Sequence, residues 1–267
     1  MTSEHDRPSA LVTGASSGIG EALAWCFAAA GHDLVLVARS VDKLQSLAGE
    51  LESRHAVKAL VLPADLSEPG AAERLAATLR RRKRLPDVLV NCAGVLEQQP
   101  FARMKAAGHQ AIIDLNISAL TAMLSHFLPG MIARGSGRVL NVASIAAFQP
   151  IPLLATYAAS KAYVLSLTES LSEELKGTGV TITALCPGIT ATNMLSGATQ
   201  ANQQLARLPG FLIGQVEDVA RAGFEACMRG EVICVPGAIN RAAVLASRGA
   251  PKWLLRRVGG MLARRAS

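Results

Sequence analysis

The sequence has few residues in the patterns that build disulfide frameworks and metal centres. Its cysteines are odd in number, form no C-x-x-C pair and stand far apart, at Cys26, Cys92, Cys186, Cys227 and Cys234. Its five histidines show no H-x-x-x-H spacing. Reduced, mostly buried thiols are expected of such a chain, as is common in cytosolic proteins, and no metal site is predicted.

Membrane-spanning and targeting patterns are not found either. Apolar runs such as Leu34 to Ala38 and Val88 to Val90 are far too short to span a bilayer. The N-terminal residues MTSEHDRPSA carry charges and no apolar core, unlike a signal peptide. Charged residues are only 18% of the chain and apolar residues 50%, which excludes disorder and favours one large cytoplasmic domain over two smaller ones.

Acidic residues are missing from the C-terminal part of the chain. Residues 241–267 hold seven cations and no acid, so this extension accounts for the formal net charge of +7. Residues 1–240 are predicted to form a catalytic domain without net charge, and no nucleic-acid partner is expected. The basic run Arg80 to Arg84 is interpreted as the end of a helix, where cations are favoured. A nucleic-acid patch there is the weaker alternative, because no aromatic side chains are present to stack on bases.

Short apolar runs alternate with longer helical patterns along the whole chain. Strands are predicted at Ala10–Thr13, Asp33–Ala38, Lys58–Pro63, Val88–Asn91, Arg138–Ala143, Thr181–Cys186 and Glu231–Val235. Helices are predicted at Ile19–Ala30, Val41–Arg54, Ala71–Arg82, Ala106–Ala133, Thr156–Lys176 and Val216–Met228. This alternation predicts a single doubly wound α/β domain of the Rossmann type with a seven-stranded parallel sheet. The segment 193–215 lacks a strong period and is interpreted as a substrate loop.

A glycine-rich turn, TGASSGIGEAL, follows the first predicted strand and opens a helix. Its glycines allow a tight turn and a close backbone approach to a pyrophosphate, while helix N-terminal amides face the anion. The predicted contacts are Gly14, Ser16, Ser17, Gly18, Ile19 and Gly20. The alternative is a structural turn without a ligand. A nucleoside-triphosphate loop is excluded, because Glu21 stands where a Lys-Ser/Thr pair is required.

The end of the second predicted strand, LVLVARS, carries a cation instead of an acid. An acid at this point holds a ribose 2′-hydroxyl, whereas an arginine can accept a 2′-phosphate. Arg39 and Ser40 stand here, and the next acid, Asp42, lies already in the following helix. NADP(H) is therefore predicted in preference to NAD(H). The alternative is that Arg39 is a solvated surface cation.

Both tyrosines of the chain lie in the short stretch ATYAASKAYVL. Tyr157 and Lys161 are four residues apart on a predicted helix and therefore share one face. A lysine ammonium beside a phenol is expected to lower the tyrosine pKa towards the range useful for acid–base catalysis. Ser144 ends a predicted strand, where it could hold a substrate oxygen. Tyr163 faces elsewhere, and packing or a subunit interface is expected there. Ordinary helix-surface and core positions are the alternative for the serine and the tyrosine–lysine pair.

These residues resemble the short-chain dehydrogenases/reductases, and the match extends from Ala10 to about Pro236. The matching motifs are Thr13, Gly14, Gly18 and Gly20; Asp65 and Leu66; Asn91 to Gly94; Asn116; Ser144; Tyr157 and Lys161; and Cys186 to Thr192. Cys92 replaces the second asparagine of the family's N-N-A-G motif, and cofactor binding is expected to survive this change. The resemblance implies further cofactor contacts from Asp65, Leu66, Asn91, Ala93, Gly94, Tyr157, Lys161, Pro187, Gly188, Ile189 and Thr192.

The resemblance also implies a mechanism of hydride transfer between a nicotinamide and a carbonyl or alcohol. Tyr157 would exchange the proton, and Ser144 would orient the substrate oxygen. Lys161 would bind the nicotinamide ribose and lower the Tyr157 pKa. Asn116 would hold a water that links Lys161 to solvent. A homodimer or homotetramer through the helices of Asn116 and Tyr157 is also implied.

The sequence gives weaker signals for the class of substrate and for the role of the basic C-terminal extension. Apolar residues in the substrate loop favour a medium or bulky apolar ketone or aldehyde. The basic C-terminal extension alternates apolar residues with arginines, as an interfacial membrane helix does. Packing on the fold or on a partner subunit is the favoured alternative, because Gly259-Gly260 opposes a helix. The other function considered is a non-catalytic NADP(H)-binding sensor or scaffold whose basic tail binds a membrane or a partner.

Overall fold

A parallel sheet organises the chain in the computed structural model, which describes residues 7–190 and 213–249 together with Trp253, Arg257 and Gly260. Its seven strands lie in the order β3-β2-β1-β4-β5-β6-β7, and neighbouring strands pair in parallel. The strands are β1 (Ser9–Thr13), β2 (Asp33–Val37), β3 (Ala59–Val61), β4 (Val88–Asn91), β5 (Gly137–Val142), β6 (Val180–Leu185) and β7 (Ile233–Cys234). This topology confirms the predicted doubly wound α/β fold.

Helices cover both faces of the sheet, as the apolar strands require. They are α1 (Gly18–Ala29), α2 (Val41–His55), α3 (Ala71–Arg81), α4 (Ala106–Ile113), α5 (Leu120–Arg134), α6 (Ala155–Glu174), α7 (Val216–Arg229) and α8 (Ala238–Gly249). Two 3-10 turns lie at Phe101–Arg103 and Ile145–Phe148. Helices α5 and α7 end at Gly135 and Gly230, both in the left-handed conformation that glycine adopts without strain.

The core consists of two apolar layers, one on each face of the sheet. Successive strand residues point to opposite faces, so Leu11 packs with α3, α5 and α6 while its neighbour Val12 packs with α1, α2 and α7. Leu89 and Val90 of β4 divide between the layers in the same way. The two layers hold the central strands rigidly, and their carboxyl ends therefore form a fixed edge on which a site can be built.

The predicted helix Ala106–Ala133 is interrupted, which the sequence did not indicate. A π-helical turn at Asp114–Ala119 separates α4 from α5. Such turns carry one residue more than an α-helical turn and are frequent at functional sites. Asn116, a predicted site residue, lies in this turn with only 1% of its surface exposed.

The same helical unit, Ala106–Arg134, has the length and composition of a membrane span. It has 29 residues and a mean hydropathy of 1.5 in its most apolar window, of which 44% is buried inside the fold. Met123, Phe127 and Met131 on this helix belong to one of the two core layers. A core helix of a globular protein has the same length and composition, and the packing of these three residues fits that role.

Helix α8 occupies a part of the chain where no helix was predicted. The predicted boundary between the catalytic domain and the basic C-terminal extension, at residue 240, falls inside this helix. Asn240 donates a hydrogen bond to the Pro236 carbonyl at 2.8 Å, and Val244 is buried. The start of the extension is therefore packed on the fold.

Candidate active site

A cavity of about 800 Å³ opens at the carboxyl ends of the central strands. It lies at the switch point between β1 and β4, where the chain turns from building one half of the sheet to building the other. Open α/β sheets bind their ligands at such a switch point. The predicted site residues that line it are Gly14, Ser16, Ser17, Gly18, Ile19, Gly20, Arg39, Ser40, Asp65, Leu66, Ala93, Gly94, Ser144, Tyr157, Lys161, Pro187, Gly188 and Ile189. Asn91 and Asn116 are buried and are not among the lining residues, and Thr192 falls outside the described residues.

The glycine turn is closed so tightly that a side chain at any of its glycines would be strained. Gly14 and Gly18 have φ angles of 67° and 58°, in the left-handed region that disfavours side chains. A Cβ on Gly20 would stand 2.3 Å from the Gly14 carbonyl oxygen. Thr13 anchors the turn, because its Oγ1 accepts hydrogen bonds from the amides of Cys92 at 2.9 Å and Ala93 at 3.1 Å.

This turn fits the pyrophosphate of a dinucleotide. The first amides of α1 have no hydrogen-bond partner within the helix and stand at the wall of the cavity. Helix N-termini favour anions, because the unpaired amides and the helix dipole present positive charge. The absence of side chains at the glycines of the turn leaves room for the anion to approach the backbone.

Gly20→Ala is expected to weaken NADP(H) binding by about tenfold or more, because the added methyl group must displace the turn. A fluorescence titration of the cofactor measures this. Gly49→Ala is the matched control, since a Cβ on Gly49 in α2 meets no atom within 4 Å. It should leave cofactor affinity unchanged and raise stability by about 0.5–1 kcal/mol. Wild-type affinity in the Gly20 variant would contradict this account of the turn.

Two cations and a hydroxyl line the β2 end of the cavity. Arg39 and Ser40 stand there as predicted, and Lys43 on the first turn of α2 joins them. The Arg39 side chain is 74% exposed and lies 3.7 Å from an Asp65 carboxylate oxygen. The other oxygen of that carboxylate accepts hydrogen bonds from Ser67 at 2.6 and 3.0 Å. The Ser67 hydroxyl is the main reason that the pKa of Asp65 lies below its ordinary value, with Arg39 adding to it.

Ser144 follows β5, three strands away from Arg39 in the sheet. Its Oγ accepts a hydrogen bond from the Ala146 amide at 3.1 Å and so caps the 3-10 turn Ile145–Phe148. The same hydroxyl donates a long bond of 3.5 Å to the Pro187 carbonyl. Because neighbouring strands are about 4.8 Å apart, the serine lies about 14 Å from the cationic end. A dinucleotide can extend between these two ends.

Tyr157 lies on the first turn of α6, where it is 9% exposed. Ala146 packs against it in a small apolar cluster with Leu96, Ile151 and Leu154. Burial raises the pKa of Tyr157, and the hydrogen-bonding Ser144 side chain opposes that shift. The prediction that the pKa of this tyrosine is lowered was therefore wrong for this structure.

The reason lies in the position of Lys161. Its Nζ donates a hydrogen bond to the Val142 carbonyl at 2.9 Å and stands 5.7 Å from the centre of the Tyr157 ring. Burial lowers the pKa of Lys161 to about 8, while the thiols of Cys92 and Cys186 act in the opposite direction. The lysine lies beside the tyrosine as predicted, but burial disfavours its charged form, and its Nζ donates to a backbone carbonyl and not to the phenol.

Asn116 lies behind the cavity wall and shapes it. Its Oδ1 accepts a hydrogen bond from the Val95 amide at 2.9 Å, and its Nδ2 donates to the Val95 carbonyl and the Ser160 hydroxyl, both at 3.0 Å. A Cβ on Gly94 would stand 3.2 Å from Asn116 Oδ1 and 3.5 Å from Lys161 Nζ. Gly94 thus keeps open the space between the asparagine and the lysine.

Asn91 is buried inside the sheet. It pairs with Asn141 across β4 and β5, donating to Asn141 Oδ1 at 2.9 Å. Asn141 in turn donates to the Thr168 hydroxyl at 3.0 Å. This buried chain of hydrogen bonds ties the sheet to α6. The Asn91 side chain is thus directed into the protein, and the cofactor contact of this residue stays a prediction.

Sequence reasoning missed several residues of the cavity. Lys43 follows Arg39 by four residues, a spacing that could have indicated a second cation at the same end. The Cys92 side chain also lines the cavity, and burial raises its pKa to about 12. Gln98 and Gln149 contribute amide groups to the wall, and no motif in the sequence indicated them.

Tyr163 differs from Tyr157 as predicted. Its ring is 37% exposed, and its hydroxyl lies 2.9 Å from the Thr121 hydroxyl on α5. It is not among the residues that line the cavity.

A site of this build defines an oxidoreductase that uses a dinucleotide. The family model described as short chain dehydrogenase matches residues 8–203, and the chain belongs to the short-chain dehydrogenase/reductase family. The protein is an oxidoreductase that binds a nicotinamide cofactor and acts on carbonyl or alcohol groups.

Individual relatives agree with this membership. The 3-oxoacyl-[acyl-carrier-protein] reductase of Synechocystis is 34% identical over 212 residues, covering 79% of this chain and 85% of the relative. Glycine betaine reductase of Emericella nidulans is 35% identical over 80% of this chain, but the chain spans only 17% of that longer protein.

Solved structures are similar over most of the fold. A short-chain dehydrogenase from Sphingobium yanoikuyae in complex with NADPH is 33% identical, with a TM-score of 0.80 over 90% of this chain and 93% of that one. A bulky-bulky ketone specific alcohol dehydrogenase from Comamonas testosteroni is 29% identical, with a TM-score of 0.77 over 90% and 92% of the two chains.

Proposed function

We propose that this protein is an NADP(H)-dependent carbonyl reductase in which Tyr157 is the general acid. The observation that carries the proposal is the convergence of Ser144, Tyr157 and Lys161 on one cavity that also contains the glycine turn. The cofactor, when bound, supplies or accepts a hydride. Lys161 and the glycine turn would hold it at the ribose and the pyrophosphate, respectively.

The proton is provided by the chain itself. Burial raises the pKa of Tyr157, so its phenol is protonated at neutral pH and can donate to a carbonyl oxygen as negative charge develops there. The Ser144 hydroxyl would donate a second hydrogen bond to the same oxygen and fix its position. The site is therefore suited to carbonyl reduction, with the phenolate that results stabilised by the neighbouring Lys161.

NADP(H) is proposed in preference to NAD(H). Arg39, Ser40 and Lys43 offer two positive charges and a hydroxyl to a 2′-phosphate. The nearest acid of the lining, Asp65, has its carboxylate engaged by Ser67. The ion pair between Arg39 and Asp65 is long and exposed, so it costs little to reorient the arginine towards a ligand.

The proposed substrate is a medium or bulky apolar ketone or aldehyde. Around Tyr157 the described wall is formed by Leu96, Ile145, Ile151 and Leu154, with Gln98 and Gln149 as neutral polar groups. None of these side chains is charged, so nothing in this part of the described wall would pair with a carboxylate or phosphate on the substrate. The bulky-ketone specificity stated for the Comamonas testosteroni enzyme agrees with a wall of this kind.

The test is NADPH oxidation with a panel of carbonyl compounds matched in pairs. Each pair contains a neutral bulky ketone or aldehyde and its analogue with a carboxylate at the distal end. Turnover is expected with the neutral members, and their kcat/KM should exceed that of the charged members by about tenfold or more, because the apolar wall must desolvate the charge. Preference for the charged members would overturn the substrate class. Tight NADPH binding without any turnover would instead favour the cofactor sensor.

A homodimer or homotetramer in the cytoplasm is also proposed. Tyr163 and Thr121 lie partly exposed on α6 and α5, where they could meet a second copy of the same surface. Light scattering of the purified protein measures the oligomeric state.

A further inference from the structure

Helix α8 and Trp253 beyond it expose large apolar side chains. Leu245 is 72% exposed, the largest value among the exposed large apolar residues of the described chain. Ile239 is 52% exposed on the same helix, and Trp253 is 58% exposed shortly after it. A single exposed leucine needs no explanation, but three large apolar side chains in one short segment indicate a surface that something covers.

The exposed face of α8 lies opposite a face that is packed on the protein. Val244 and Ser247 are each 8% exposed and point towards the fold. At 100° per residue, Ala242 and Leu245 are directed away from them, and both are exposed. The inner face of the helix is thus buried against the fold, while its outer face is exposed to solvent and still apolar. We call this outer surface, formed by Ile239, Ala242 and Leu245, the α8 face.

Exposed arginines lie on α8 and beyond it. Arg241 on the helix and Arg257 beyond it are both exposed. They belong to the seven cations of residues 241–267, which include no acid. Apolar side chains with arginines and without acids are the pattern of a helix lying in the headgroup region of an anionic bilayer, where apolar groups insert and cations remain at the phosphates.

Other occupants explain the pattern less well. A second copy of the chain would bring the same cations face to face across a two-fold axis, where they repel. Nucleic acid would satisfy the cations but would leave Leu245 and Ile239 without an apolar partner. An anionic lipid surface satisfies both, because it offers negative headgroups above hydrocarbon.

Helix α8 also contacts the candidate active site, so a membrane bound to its outer face would lie close to that site. Its Asn240 lies so close to Gly188 that a Cβ on the glycine would stand 2.5 Å from the asparagine amide, and Gly188 lines the cavity. The helix also packs on the 3-10 turn Ile145–Phe148, directly after Ser144. One side of α8 thus supports the candidate active site, while the other side is the α8 face, about one helix diameter of 10 Å away.

We propose that the α8 face docks the protein peripherally on anionic lipid membranes. Leu245 and Ile239 insert at the level of the headgroups, and the exposed Arg241 and Arg257 bind lipid phosphates. This interaction does not depend on the proposed catalysis, and an inactive protein would dock equally well.

Co-sedimentation with vesicles tests the proposal on the full chain. Wild-type protein is expected to bind vesicles of phosphatidylcholine with phosphatidylglycerol, to bind pure phosphatidylcholine vesicles more weakly, and to be released by high salt. Leu245→Glu should lower binding to the anionic vesicles by about tenfold or more, because an inserted side chain is replaced by an anion. Since Leu245 makes little contact with the fold, thermal melting of this variant should match the wild type.

The matched control is Leu85→Glu, which also places an acid on an exposed leucine beside a basic run, Arg80 to Arg84. It should bind vesicles as the wild type does. Equal binding by wild type and Leu245→Glu would overturn the proposal, and so would an equal loss in the Leu85 variant, which would indicate attraction by net charge alone. A Leu245 variant that loses an oligomeric state by light scattering while keeping its vesicle binding would assign the α8 face to a second copy of the chain.

Discussion

Tyr157→Phe should lower kcat for carbonyl reduction by about 10²- to 10⁴-fold, because the variant lacks the phenol that is proposed to donate the proton. Phenylalanine fills the same space beside Ala146 and Leu154, so the fold and the cavity should be preserved. The KD for NADPH, measured by fluorescence titration, should remain nearly unchanged. The loss therefore appears in the chemical step and not in cofactor binding.

Tyr163→Phe provides the control within the same helix. It also removes one hydroxyl from one ring, but that hydroxyl contacts Thr121 and not the cavity. Its kcat should stay close to that of the wild type. If Tyr157→Phe keeps most of its activity, or if both variants lose it to the same extent, Tyr157 is not the general acid.

Arg39→Asp should reverse the cofactor preference. The ratio of kcat/KM for NADPH to that for NADH is expected to fall by about 100-fold or more, since a hydrogen bond between charged groups contributes about 1.5–3 kcal/mol and the new acid repels the 2′-phosphate. The same aspartate can accept a hydrogen bond from the free 2′-hydroxyl of NADH. Steady-state kinetics with both cofactors and one carbonyl substrate measures the ratio.

Arg54→Asp is the control for the change of charge. Arg54 lies near the C-terminal end of α2, the helix that follows Arg39, where it pairs with Glu50 at 3.8 Å and stacks over Trp25. This variant changes the net charge by the same amount and can lower stability, but it should leave the cofactor ratio as it is. If the ratio of kcat/KM for NADPH to that for NADH is unchanged in the Arg39 variant, Arg39 is a solvated surface cation and does not bind the 2′-phosphate.

Much of the fold was accessible from the sequence, because its local signals agree with each other. Apolar strands bounded by glycine and aspartate, joined by helices, define a parallel sheet with little ambiguity. The glycine turn was predictable for the same reason, since a side chain on Gly20 would collide with Gly14 and one on Gly14 would crowd the backbone of Ala93. The strand bounds differ from the predictions by only a few residues at each end.

Other parts depend on contacts between distant segments and could not be predicted. The π-helical turn at Asn116 has no local sequence signature, and it is fixed by the two hydrogen bonds that this side chain makes with the backbone of Val95. The pKa directions of Tyr157 and Lys161 follow mainly from the depth at which each group is buried. The four-residue spacing on the helix predicts only that Tyr157 and Lys161 are neighbours, and it does not predict how deeply either is buried.

The hydroxyl of Thr13 has a consequence for how the protein is made. It holds amides that lie 79 and 80 residues further along the chain, and Gly14 closes against the same backbone segment. When the glycine turn leaves the ribosome, the residues that complete it do not yet exist. At about 5–20 residues per second, the nascent chain waits several seconds for them. The glycine turn lies near the N-terminus and is synthesised early, but it is thus among the later parts of the protein to take its final form.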